Sequence, residues 1–104
     1  MAWFTNGILT NPAIDTILVD TGAFAEATGP LIVRVIVSST VIAAPILELR
    51  NAANSANISS QAFISPANTT VELDLPVTWA VSERLRVRLN AAITGLIQAS
   101  IITS

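Results

Sequence analysis

Side chains on an extended chain alternate between two faces, so a period of two in apolar and polar residues marks a strand with one buried side. The cleanest such run is ERLRVRLN, from Glu83 to Asn90, with Leu85, Val87 and Leu89 on one face and Arg84, Arg86 and Arg88 on the other. The same pattern predicts strands over Ala13 to Val19, Leu31 to Ser39, Ile46 to Arg50, Gln61 to Ser65, Thr69 to Leu75 and Leu96 to Thr103. In the last of these Ile97, Ala99 and Ile101 are expected on the core side, and in ILELR Leu47 and Leu49 point inward while Glu48 and Arg50 point outward. Leu31 to Ser39 carries Leu31, Val33, Val35 and Val37 on one face and Ile32, Arg34 and Ile36 on the other. Apolar residues on both sides suit a central or covered strand.

Between these runs lie turn formers. Asn51 to Ser60 (NAANSANISS) is small and polar and predicts a surface loop. Pro76 to Ser82 places Val77, Trp79 and Val81 on one side, and Thr94 and Gly95 form a turn before the last strand. Met1 to Pro12 has no period. It predicts an N-terminal arm ahead of a single domain over residues 13–104, with Trp3 and Phe4 either folded onto their own core or docked on a neighbouring subunit. Seven or eight short strands about ten residues apart, with no helical pattern, predict an all-β, antiparallel sandwich of jelly-roll or related type.

Composition changes the picture in two ways. With 52% hydrophobic and only 12% charged residues, the chain of 104 residues is more apolar than one small core can hide. The apolar excess points to burial against other protein chains. The one membrane candidate, Leu31 to Leu49, is broken by Arg34 and Pro45 and rich in β-branched residues, which favour strands. No signal peptide is expected at the start, where no basic residue precedes Arg34.

The second change is chemical. The chain has no cysteine, histidine, tyrosine or lysine, which removes disulfides, thiolate metal sites and the commonest general base. A net charge of −2 argues against nucleic acid, which needs a basic face. Three of the five basic residues form the Arg84, Arg86, Arg88 ladder. Their expected partners are Glu72 and Asp74, each pair contributing a few tenths to about 1 kcal/mol if those two strands are neighbours. Two weaker candidates for chemistry are Glu72 with Asp74 as an acid/base pair, for which no pocket is implied and a solvated or salt-bridged face is expected, and Asp15, Asp20 and Glu26 around a calcium ion, which lack the dense Asp/Asn/Gly spacing of a calcium loop. No cofactor and no metal is expected.

Asp20, Thr21 and Gly22, preceded by Ile17, Leu18 and Val19, spell ILVDTGA, which resembles the active-site signature of retropepsin-type aspartic proteases. That resemblance implies a homodimer in which Asp20 shares a proton with its counterpart. It covers about seven residues, and the glycine-rich flap of that family is missing, since no glycine lies between Gly29 and Gly95. The alternative is a strand ending in a turn, with Asp20 as turn former and Gly22 supplying a positive φ.

Taken together, ILVDTG, LIVRVIVSS, ILELRNAAN, TTVELDLPV, ERLRVRLNAA and TGLIQASI resemble the small jelly-roll proteins that decorate tailed-phage heads, the cement or head-stabilisation proteins. The resemblance implies a non-enzymatic virion structural protein on the outer surface of a bacteriophage capsid. Such a protein bridges subunits of the major capsid protein and is itself a homo-oligomer, dimer or trimer. Trp3, Phe4, Ile8, Leu9, Arg84, Arg86 and Arg88 are then the interface candidates. Phage fibre and receptor-binding tips share the same look and give a second expectation of the same structural class.

Overall fold

A computed structural model of the chain describes residues 2–26, 31–39, 43–75 and 77–103. Within them the chain forms nine strands and no helix: β1 Ala2–Thr5, β2 Leu9–Thr10, β3 Ile17–Asp20, β4 Leu31–Ser39, β5 Pro45–Arg50, β6 Asn57–Ala62, β7 Thr70–Leu75, β8 Arg84–Leu89 and β9 Gly95–Thr103. The strand pairings are antiparallel. One sheet runs β1-β9-β4-β7, with β2 also on β9, and the other runs β3-β8-β5-β6.

The two sheets are held together mostly by residues that the period of two assigns inward; the exceptions, Leu18 and Val19, are neighbours and both buried, at an irregularity in the β3–β8 register between Ile17 and Val19. Leu18 and Val19 of β3, Leu47 and Leu49 of β5, and Leu85, Val87 and Leu89 of β8 form one buried cluster with Ile97, Ala99 and Ile101 of β9. Because that cluster draws on both sheets, the architecture is an all-β sandwich. Fully burying each leucine or isoleucine contributes about 1.5 to 3 kcal/mol, which fixes the register, since a slip of one residue would turn every arginine of β8 into the core.

Residues 2–10, expected as an arm, run alongside β9 on their own domain. Ala2 to Thr5 pair with Thr103 to Ser100, and Leu9 and Thr10 pair with Ile97 and Leu96. Gly7, at φ 72°, lies in the break between the two short strands. The alternation continues here: Phe4 and Leu9 pack against the core, while Trp3 and Ile8 remain exposed.

Three expectations are corrected. The first strand is shorter than Ala13 to Val19: Asp15 takes a φ of 66°, which breaks extension until Ile17. The polar stretch Asn51 to Ser60 is a loop only as far as Ala56, and β6 begins at Asn57, earlier than the strand expected at Gln61. Asn51 closes this loop with its side chain, accepting from the Ser55 N–H at 2.9 Å, while its own N–H donates to the Ala56 carbonyl at 3.0 Å. Pairing with β5 then imposes extension on residues whose own propensity is weak. Finally, among residues 77–82 Trp79 is buried but Val81 is 56% exposed, because the chain turns at Val81 and Ser82 and does not continue as a strand. The central position expected for Leu31 to Ser39 is found, between β9 and β7; the division of its side chains between two faces lies outside the described residues.

Candidate functional site

The outer face of the second sheet carries the charged residues of β8, and its geometry follows from strand order. β8 lies between β3 and β5, so its arginines meet Asp20 on one side and Glu48 on the other. The expected partners Glu72 and Asp74 are not there. They belong to β7, in the opposite sheet, where their backbone positions stand across from Arg34 and Ile32 of β4.

Glu48 is the hub. It is 2% exposed, and its carboxylate accepts from Arg86 Nε at 2.6 Å, Arg88 Nε at 3.2 Å and Asn57 Nδ2 at 2.8 Å. Burial works to raise its pKa, but the hydrogen bonds from Asn57, Arg86 and Arg88, with the charge of Arg86, outweigh it and hold the carboxyl below its ordinary value of 4.5. Arg88 also reaches Asp15 through Nη1 at 2.5 Å. Burial pulls its pKa down, and Glu48 and Asp15 together lift it above the ordinary arginine value. Asn57 continues the network by accepting from Arg50 Nη1 at 2.9 Å, and Arg50 closes the β5–β6 loop through Asn54. Sequence reasoning missed this role for Glu48 and Asn57. The one available signal is the alternation of Glu48 with Leu47 and Leu49, and it gains meaning only once β5 is known to lie beside β8.

Asp20 forms the other pair. Its two oxygens accept a fork from Arg84, Nε at 3.1 Å and Nη2 at 3.0 Å, and Oδ1 also accepts from the Gly22 N–H at 2.8 Å. Thr21 Oγ1 donates to the Gly22 carbonyl and accepts from the Leu85 N–H. The triplet is thus the end of β3 closing into a turn, with Gly22 at φ 70°. Asp15, Asp20 and Glu26 are not gathered around a common point, and among the described residues no group of three acidic side chains could hold a metal ion. Replacing Asp20 with Asn keeps an acceptor for Gly22 but leaves the partly buried Arg84 without its counter-charge. The expected cost is about 1 to 2 kcal/mol in urea melts, with the fold retained.

The remaining candidates divide by face. Phe4 meets Phe24 edge-on at 6.0 Å and 87°, and Phe24 stacks on Trp79 at 4.5 Å and 20°, so Phe4 is part of the internal packing. Leu9 packs on the core as well. Trp3 and Ile8 are 52% and 63% exposed, and Ile14, Ile58, Ile64, Val81 and Leu96 are exposed with them. A cleft of about 120 Å³ opens beside β5 and β6, floored by Leu47, Leu49, Val77 and Leu85 under a lip of Ser59, Ser60 and Gln61. Its lining includes no titratable group.

No protein-family model and no curated protein sequence matches the chain.

Proposed function

We propose that the chain is a non-enzymatic structural protein of a virion, a jelly-roll module that decorates the outer surface of a phage capsid and stabilises it by bridging subunits of the major capsid protein. The observation that carries this reading is the division of labour between side chains. The carboxylates and guanidiniums of the outer face neutralise one another, whereas large apolar side chains, among them Ile8, Ile64, Ile14 and Trp3, are more than half exposed. A surface of that kind suits binding by burial of apolar area.

The strand order supports the jelly-roll reading. After the N-terminal pair the chain alternates β3, β4, β5 between sheets, makes the β5–β6 hairpin, and alternates again through β7, β8 and β9, giving four-strand orders 1-9-4-7 and 3-8-5-6. Two interleaved Greek keys produce that order. The fork from Arg84 supports a structural role for Asp20 over the protease alternative, since a carboxylate with both oxygens engaged by a cation is poorly placed to share a proton with a second aspartate.

A shell protein of this class stabilises by mass action: whatever binds the assembled lattice and not its dissociated subunits shifts the equilibrium toward the lattice. The test is co-sedimentation with empty shells of the major capsid protein encoded in the same genome. Ile8→Ala removes an exposed side chain, so the melting temperature of the free protein is expected to move little, and it is combined with Trp3→Ala for the binding test. The double variant is expected to lose at least about tenfold in affinity for the shell, as a buried aromatic anchor would. Wild-type occupancy of the shell by the double variant would remove these residues from the contact.

A further inference from the structure

We infer that β6 is an interface between two copies of this chain, pairing edge to edge with its own counterpart about a twofold axis through Ser60. The inference rests on the homo-oligomer reading and names the surface that would build it.

Among the described residues β6 is one of the two edges of its sheet, and all six of its residues are exposed. Natural edge strands are usually guarded against pairing by lysine, by proline or by an inward charge. This one has none: residues 57–62 read NISSQA, and residues 51–71 contain no charged side chain. The edges on other strands differ. β7 carries Glu72 and Asp74, and β3 ends in Asp20. β1 is uncharged but only four residues long, and it carries Trp3, assigned above to the shell. Pairing β6 with β6 brings no like charges together, which an isologous contact requires of its centre.

The backbone fixes the register. Phe63 N–H donates to the Pro45 carbonyl at 3.1 Å, and Gln61 and Ser59 stand opposite Leu47 and Leu49. Odd residues of this stretch therefore turn their backbone groups toward β5, and the N–H and C=O of Ser60 and Ala62 face outward. With the axis at Ser60, the two Ser60 residues exchange both bonds, and Ala62 comes opposite Ile58 of the second copy. Ile58, 52% exposed in the single chain, then gains an apolar neighbour. Ser59 meets Gln61 across the axis on the inner face, so the lips of the two clefts lie side by side.

The absence of cysteine makes the test direct. In the proposed pair the Ser60 Cα atoms are about 5.5 Å apart, within disulfide reach. The two Ile58 Cα atoms are separated by about four residues, roughly 13 Å along the strand, and are out of reach. Under mild oxidation S60C is expected to convert to a covalent dimer at least about tenfold faster than I58C. S60K sets two ammonium groups against each other and is expected to reduce the native mass by light scattering from a multiple of 10.9 kDa toward a single chain. Equal cross-linking of S60C and I58C, or an S60K protein of unchanged oligomeric mass, would overturn the β6 contact while leaving an oligomer built on another surface. A wild-type protein that stays at 10.9 kDa across the concentration range, together with an S60C variant that does not cross-link, would overturn both the contact and the homo-oligomer.

Discussion

Glu48→Ala is expected to be among the most damaging single substitutions in the molecule, costing about 3 to 5 kcal/mol and lowering Tm by on the order of 15 °C. The carboxylate itself is 2% exposed, and its removal leaves Arg86 and Arg88, both largely buried, facing a void without their shared acceptor. Asn57 Nδ2 loses its acceptor at the same time, which separates the β8 arginines from the Asn57–Arg50 pair that closes the β5–β6 loop. Glu48→Gln preserves the shape and one acceptor and is expected to cost less, about 2 kcal/mol. The contributions of charge and shape can be separated by pH. The folded-state pKa of Glu48 lies below 4.5 and its unfolded value near it, so the charge contributes fully above pH 4.5, and the contribution is lost as pH falls through the folded value. The stability gap between wild type and Glu48→Gln should therefore narrow as urea melts are moved from about pH 7 toward about pH 3. A gap of constant size over that range would contradict a folded-state pKa below the ordinary value.

Trp79→Ala is expected to cost a similar amount, about 3 to 5 kcal/mol, for a different reason. Trp79 is buried and stacked on Phe24, which in turn receives the edge of Phe4, so its ring links the N-terminal strand to the segment before β8. Deleting it opens a cavity beside the core. Its Nε1, however, is buried without a hydrogen-bond partner among the described residues, and such a donor costs about 1 to 3 kcal/mol in the folded state. Trp79→Phe keeps most of the stacking and removes that penalty, so its net effect is expected to fall within about 1 kcal/mol of wild type. Equal damage from Phe and Ala would mean that the indole N–H is satisfied and carries no such penalty.

The elements legible in the sequence are those whose side chains alternate under a strong apolar bias. β4, β8 and β9 end within a residue of the spans read from LIVRVIVSS, ERLRVRLN and LIQASIIT, and Leu47, Leu49, Ile97, Ala99 and Ile101 face the core as expected. β6 is obscure because NISSQA has no apolar period; its extension is supplied by β5, which no local signal reports. Partner choice is obscure for the same physical reason. Arg84, Arg86 and Arg88 plainly share a face, but whether that face meets Glu72 and Asp74 or Glu48, Asp20 and Asp15 depends on which strands cross between sheets. The turn alternative for Asp20-Thr21-Gly22 is legible from residue types alone, since glycine accepts the left-handed backbone that Gly22 adopts. Nothing local separates Phe4 from Trp3; only the pairing of β1 with β9 sends one ring inward and the other into water.

On the outer face of the second sheet the arginines of β8 are paired with Asp15, Asp20 and Glu48, while several large apolar side chains are exposed, and the proposed function rests on that contrast. The measurement that tests this most directly is the number of copies bound to purified empty shells, together with the melting temperature of those shells with and without the protein. Saturable binding in fixed ratio to the major capsid subunits, with an upward shift of several degrees in shell melting, is the result expected of a decoration protein. No binding at saturating protein, or binding that leaves the shell's melting unchanged, would contradict the proposed function.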